Sequence, residues 1–323
     1  MRVVSLAFAG LLALALQHAV IAAETPYPVR PIRLIVPFPP GGPTDTMARI
    51  YAQKLTESSG QQVVVDNRSG AGGNIGMGIA ASSTPDGYTL LFVSSSYMVN
   101  PGLYKKVPYD PYRSFIPVSV LAASPHVFFT HPSQPVKTIA ELIDLVKREP
   151  NKHSIATPGI GTVPDLSAHL LQLDAKLDLV TVPYAGGGPS IAAVVGNQVE
   201  FGCQAVPPVT PHIKAGRVRA LAITSARREP LFPDVPTMAE AGFPDQESAT
   251  ISGMLVPAGT PAPIVNRLYR EAVRILALPE VKARIEEQGF NIVASSPQAF
   301  AALAKSEVER WAKVVKAANI NVN

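Results

Sequence analysis

Four short apolar runs, most of them rich in β-branched residues, each end on a glycine-rich turn and give way to a helix-like stretch. The turns are Pro39-Pro40-Gly41-Gly42-Pro43-Thr44-Asp45, Gly70-Ala71-Gly72-Gly73-Asn74-Ile75-Gly76, Pro158-Gly159-Ile160-Gly161-Thr162 and Gly186-Gly187-Gly188-Pro189-Ser190. Strand, turn, helix and strand in repetition leave few folds open. They imply right-handed βαβ units, a parallel sheet and helices covering its faces. Glycine lets main-chain N–H groups crowd together and approach a ligand with no side chain between. A helix opening behind the turn adds about half a positive charge. Several such mouths predict the capture of a small anion.

The strands read as Ile32–Val36, Val63–Val65, Tyr88–Val93, Ser154–Thr157, Leu179–Val182, Val199-Glu200-Phe201 and Ala220–Ile223. Helical spacing marks 44–55, with Met47, Ile50, Tyr51 and Leu55 on one side, and also 75–81, 139–146, 166–173 and 190–195. Thr138 with Glu141 three residues on has capping-box spacing. Near the end, 263–276 and 280–288 read as helices. Phe300, Leu303, Val308, Trp311, Val314 and Val315 trace the apolar face of a last one, where Trp311 is read as core packing.

The start of the chain sets the compartment. Met1-Arg2, an apolar run from Val3 to Leu16 and small residues at Ala19 and Ala22-Ala23 read as a signal peptide, residues 1–23, cleaved near Ala22-Ala23. Its removal takes away Arg2 and no acid, so 28 basic residues become 27 against 24 acidic ones. That balance, with no basic stripe among aromatics, excludes a nucleic-acid footprint. A single cysteine, Cys203, excludes an internal disulfide, so packing must hold the chain. Roughly 300 mature residues exceed what one core holds, and two lobes are expected.

Signatures of catalysis are missing. Gly70–Gly76 is out of register for a dinucleotide fingerprint, and neither a phosphate-loop motif nor a G-x-S-x-G elbow occurs. His126, His131, His153, His169 and His212 show no paired metal-ligand spacing. Cys203 reads as a residue after a strand, nine positions before His212. Proline at 207, 208 and 211 argues against a fixed pair, and a buried thiol is the plainer reading. No metal, cofactor or enzymatic activity is expected.

Six segments in order and spacing resemble the tripartite tricarboxylate transporter receptors, the TctC-like or Bug periplasmic solute-binding proteins. They are Ile35–Asp45, Val63–Arg68, Gly70–Gly76, Pro85–Leu90, Val182–Pro189 and Val256–Pro261, and the likeness runs through essentially the whole mature chain. The resemblance implies a two-lobed α/β fold of the type II periplasmic-binding, Venus-flytrap class with two crossover strands. Lobe 1 would hold residues 24–124 and 251–323, and lobe 2 residues 125–250. It implies a small organic carboxylate (di- or tricarboxylate, amino acid or aromatic acid) in the interlobe cleft, delivered by a monomer to integral-membrane permease subunits.

Carried over by position, the resemblance assigns Gly41, Gly42, Thr44, Asp45, Ser94, Ser95 and Ser96 to the first lobe's contacts. For the second lobe it assigns Thr157, Gly159, Gly161, Thr162, Asp165, Tyr184, Gly186 and Gly187, with Cys203 and Gln204 in a strand-end loop. Asp45 has a second reading as a helix-capping acid, and Tyr184 as a packing residue. The chain has Asp165 where the family usually has His, and no Trp near Ile251-Ser252-Gly253. Both departures suggest a ligand that is smaller, less apolar or amino-bearing. Two rival functions stay open: a sensor engaging a receptor kinase, and an exported hydrolase using Cys203 or a serine of Ser94–Ser96.

Overall fold

Strand β1 (Ile32–Val36) is buried except at Arg33, because neighbours cover both its edges and helices both its faces. The computed structural model describes residues 27–322; the expected signal peptide lies outside the described residues. Parallel partners flank β1: β2 (Val63–Asn67) on one side and β3 (Thr89–Ser94) on the other. Arg33 spans the register to Asp66 of β2 at 2.6 Å. Helix α1 (Pro43–Ser59) links β1 to β2, α2 (Asn74–Ala81) links β2 to β3, and α3 (Ser96–Leu103) follows β3.

The next strand, β4 (Phe115–Thr130), carries the chain into a second sheet. Helix α4 (Ile139–Arg148) then leads to β5 (Ser154–Thr157), α5 (Val163–Ala175), β6 (Val180–Pro183), α6 (Gly187–Val195), β7 (Phe201–Ala205), α7 (Val206–Lys214) and β8 (Arg219–Ile223). Thr138 Oγ1 accepts from Glu141 N at 3.1 Å, so the capping spacing does open α4. Strand β9 (Ala249–Pro257) returns to the first sheet. Helices α8 (Ala262–Leu276) and α9 (Pro279–Glu287), strand β10 (Asn291–Ile292) and helix α10 (Pro297–Ala317) complete the chain.

Strand order is β2-β1-β3-β9-β4-β7-β5-β6, with β8 and β10 also on β4. The βαβ units are parallel, as the alternation requires. The sheet as a whole is mixed, because β4 and β9 run antiparallel to each other, β9 to β3 and β4 to β7. Pro125 of β4 still pairs with Ala249 of β9, while His126 pairs with Ala205 of β7. The strand therefore changes sheets between two adjacent residues. Sequence reading finds no strand here because Pro117 and Pro125 interrupt the apolar run. Pro117 sits at a register shift, where a missing N–H costs no ladder bond.

The strand expected at Val199-Glu200-Phe201 instead starts at Phe201 and runs through Gly202, Cys203 and Gln204 to Ala205. Those residues carry weak strand propensity. Gly202 belongs there because any Cβ would collide with the Phe129 ring of β4. Apolar clusters fill both faces of each sheet. A fifth joins Leu103 of α3 and Val163 and Leu166 of α5 to Trp311, Val314 and Val315 of α10. Trp311 is fully buried, and its Nε1 donates to Glu307 Oε2 at 2.6 Å. The last helix thus packs against helices that belong to both sheets.

Candidate functional site

A cleft of about 770 Å³ opens between the two sheets, and helix N-termini supply much of its wall. Helix α1 brings Pro43 and Thr44; Ser94 ends β3 and Ser95-Ser96 open α3. Thr162–Pro164 open α5, Gly187-Gly188 open α6, and Pro207-Pro208 open α7. The first N–H groups of a helix have no intrahelical acceptor. The N-caps Gly42, Ser95, Thr162, Gly186 and Ala205 make no side-chain bond to them. By contrast Thr138 and Ser296 cap α4 and α10, which are absent from the wall. Amides of Thr44, Val163, Gly187 and Gly188 thus have no capping side chain, whereas the prolines of α7 restrict that helix mainly to its dipole.

Among the described residues the lining holds no Lys, Arg or His, and its one carboxylate, Glu287, is exposed. The rest is largely apolar, with Phe38, Leu103, Ile160 and Phe290 prominent. Five helix N-termini at about 0.3–1 kcal/mol each would give roughly 1.5–5 kcal/mol. A micromolar complex needs about 8 kcal/mol. Direct hydrogen bonds and burial of an apolar ligand body, at about 25 cal/mol per Å², must make up the difference.

Two acids at the third helical position shape the glycine turns from behind. Asp45 Oδ2 accepts from Gly41 N and Arg49 Nε, both at 2.8 Å, and Oδ1 from Asn67 Nδ2 at 2.9 Å. Burial pushes the Asp45 carboxyl up, but the bonds from Arg49, Gly41 and Asn67 outweigh it and hold it below its ordinary value. In α5 the pattern recurs. Asp165 Oδ2 accepts from Gly161 N at 3.0 Å and Oδ1 from Thr157 Oγ1 at 2.7 Å, with His169 Nε2 4.0 Å away. Here burial prevails and raises the Asp165 carboxyl despite those bonds. Gly41 and Gly161 both have left-handed φ, +80° and +73°, which turns each amide back onto its acid.

The wall therefore includes Thr44, Ser94, Ser95, Ser96, Gly161, Thr162, Gly187 and Gln204 of the residues expected from the sequence. Gly41, Gly42, Gly159 and Gly186 lie in the same turns, outside the lining. Asp45, Thr157 and Asp165 are buried behind them, with their polar atoms spent on the turns. Tyr184 is half-buried against the core of the second sheet, and its amide donates to Thr157 O. Strand alternation separates the neighbours Cys203 and Gln204. Gln204 faces the cleft and donates from Nε2 to Ser190 Oγ at 3.2 Å.

Cys203 faces the core beside Phe128 and Leu221, is fully buried, and has its thiol pushed well above the ordinary range, first by burial and then by Asp165. It is a strand residue rather than part of a strand-end loop, because β7 extends beyond Phe201. The native protein is expected to leave this thiol unlabelled by an aromatic disulfide reagent until guanidinium unfolds it. Rapid labelling without denaturant would contradict that placement.

Several wall residues carry no local signal: Asn100 and Leu103 lie in α3 and Tyr104 just after it, Thr250 lies in β9, and Phe290 lies after α9. Pro207-Pro208 do carry one, since proline is favoured in a helix's first turn. Behind Thr250 stands a buried polar network at the crossover. His126 Nε2 lies 3.1 Å from Thr250 Oγ1 and Nδ1 3.0 Å from Ser248 Oγ, while Thr224 Oγ1 accepts from His126 N at 2.8 Å. Ser95 Oγ accepts from Ile251 N at 2.9 Å and donates to Ala249 O at 3.2 Å.

Comparison with known proteins places this architecture. The model of the tripartite tricarboxylate transporter family receptor matches residues 47–320. The protein BugT of Bordetella pertussis is 39% identical over 303 residues, covering 92% of each chain. An R. palustris protein solved with adipate superposes with a TM-score of 0.78 at 34% identity, over 91% of this chain and 99% of its own. MatC from Rhodopseudomonas palustris, with bound malate, gives a TM-score of 0.75 at 33% identity, over 90% of this chain and all of its own. The fold is thus the two-lobed α/β one of periplasmic binding proteins. No helix among the described residues is long and apolar enough to cross a membrane.

Proposed function

Because the chain belongs to the tripartite tricarboxylate transporter receptor family, a family of periplasmic solute-binding proteins and not of enzymes, we propose that it captures a small organic carboxylate between its lobes for a tripartite-type permease. The observation that carries this reading is the ring of helix mouths around a cleft free of basic side chains. Main-chain amides of Thr44, Val163, Gly187 and Gly188, with the hydroxyl of Thr44 and whichever hydroxyl of the bonded pair Ser94 and Ser96 keeps its proton free, are the donors. The malate and adipate of the two solved relatives support a carboxylate guest.

The apolar walls Phe38, Leu103, Ile160 and Phe290 favour a ligand whose carboxylate is attached to a short hydrocarbon body. Asp165 lends no support to an amino-bearing ligand, since its carboxylate is occupied by Thr157 and Gly161. Lobe 1 comprises 24–124 and 251–323 and lobe 2 comprises 125–250, with the hinge where β4 changes partners at Pro125 and His126. Residues 1–23 direct export and are removed near Ala22-Ala23. Ligand preference for the closed arrangement shifts the open–closed equilibrium, and the permease reads the closed form.

Isothermal titration of the mature protein against mono-, di- and tricarboxylates tests this directly. At least one is expected to bind at micromolar or better affinity, with its amide or ester analogue at least tenfold weaker. No heat and no thermal shift with any member would overturn the proposal.

A further inference from the structure

Besides the cleft, a second cavity of about 440 Å³ spans the crossover. Strand alternation places the two on opposite faces of β9: Thr250 lines the cleft, whereas Ala249 and Ile251 line the second cavity. One wall comes from the first sheet and α10, including Val120, Ile251 and Leu303. The other comes from Thr224–Ala226 and Glu229, just after β8 of the second sheet. Any relative movement of the two sheets must change the shape of this space.

The charges are unequal. Glu229, Glu247 and Glu307 face a single base, Arg310. That arginine is already occupied by Glu307 at 3.3 Å and by the carbonyl oxygens of Glu247 and Asp245. Glu229 is only 8% exposed, and its hydrogen-bond partner is the neutral amide of Asn291 at 3.3–3.4 Å. The adjacent Arg228 is turned to Glu240. A carboxylate this buried is normally balanced by a cation.

The geometry points to a second ligand site here, for a primary alkylammonium whose charge meets Glu229 and whose hydrocarbon lies on Val120, Ile251, Val293 and Leu303. Such a ligand touches both sheets across the hinge. Occupancy therefore biases the opening of the carboxylate cleft, and by reciprocity the cleft ligand changes affinity at this site.

The test uses n-butylammonium as probe and 1-butanol as its neutral counterpart, followed by calorimetry and amide chemical shifts of the full mature chain. Saturable binding of butylammonium is expected, at least tenfold tighter than butanol. Glu229→Gln retains an acceptor for Asn291 and should weaken it at least tenfold. Leu303→Trp, which fills the cavity from α10 without touching the acid, should do the same. In the unaltered chain butylammonium should also shift the affinity of the cleft's carboxylate at least threefold, an effect lost in Glu229→Gln. Equal binding of butanol, or no saturable binding of butylammonium by the unaltered chain, overturns the site whatever the variants do. The direct titration does not depend on the cleft's ligand, so failure of the carboxylate reading would leave this result readable.

Discussion

Gly161→Ala is expected to weaken carboxylate binding about 30- to 100-fold. A Cβ at this position would overlap Leu103 Cδ2 of α3, on the opposite side of the cleft, and the residue holds a φ of +73° that L side chains rarely adopt. The conformational part costs roughly 1 kcal/mol, or about fivefold in affinity if the turn distorts only when the ligand is held. The overlap accounts for the rest, because it keeps Leu103 and the α5 mouth apart when the lobes close. Adding Leu103→Ala removes the obstacle and should recover affinity to within about fivefold of a Leu103→Ala single variant, leaving only the backbone term. Titration of the four proteins against the tightest ligand of the panel reads this directly. Unchanged affinity in Gly161→Ala would mean that the wall at Gly161 does not meet the ligand.

Acidification should expose the second large effect, at His126. The ring is fully buried at the crossover, and burial, with a smaller contribution from Arg310, lowers its pKa to about 3. Above pH about 6.5 both folded and unfolded chains hold a neutral ring, and His126 adds no pH dependence. Below that, the unfolded chain takes up a proton that the folded one refuses. Stability then falls by about 1.4 kcal/mol per pH unit, reaching about 4–5 kcal/mol near pH 3. Asp45, lowered in the fold, acts in the same direction, whereas Asp165, raised, opposes it. The informative quantity is therefore the difference between the unaltered chain and His126→Gln, measured by urea unfolding from pH 7 to pH 4. Gln keeps polar contacts for Thr250 and Ser248 but cannot titrate. Parallel stability curves for the two proteins would sink the argument.

Much of the first sheet could be read directly from the chain, and for a local reason. A strand that ends in Pro37, a glycine turn and a proline at the helix start form one continuous signal, realised at β1, Gly41 and α1. The same holds for Ser154–Thr157, Gly161 and α5. Asp45 and Asp165 were visible as acids in first turns, but the direction of their carboxylates was not. The structure turns both inward, because Gly41 and Gly161 present an amide four residues earlier.

Cys203 and Gln204 show where local pattern stops being informative. Weak strand formers gave no alternation to follow, so the face on which each lies depends on the pairing of β7 with β4. Asn100, Leu103, Thr250 and Phe290 entered the cleft for the same kind of reason. Their positions are fixed by strands and helices far away in the sequence.

What the chain fixed unaided was the set of βαβ units, the glycine mouths that open their helices and the absence of basic residues from those turns, since each depends on contacts among near neighbours. Which mouths face one another, which of two adjacent side chains lines the cleft, and the presence of a second cavity at the crossover were decided only on folding. Those features arise where β4 and β9 pass between sheets, from pairings whose partners stand more than a hundred residues apart, as Pro125 and Ala249 do.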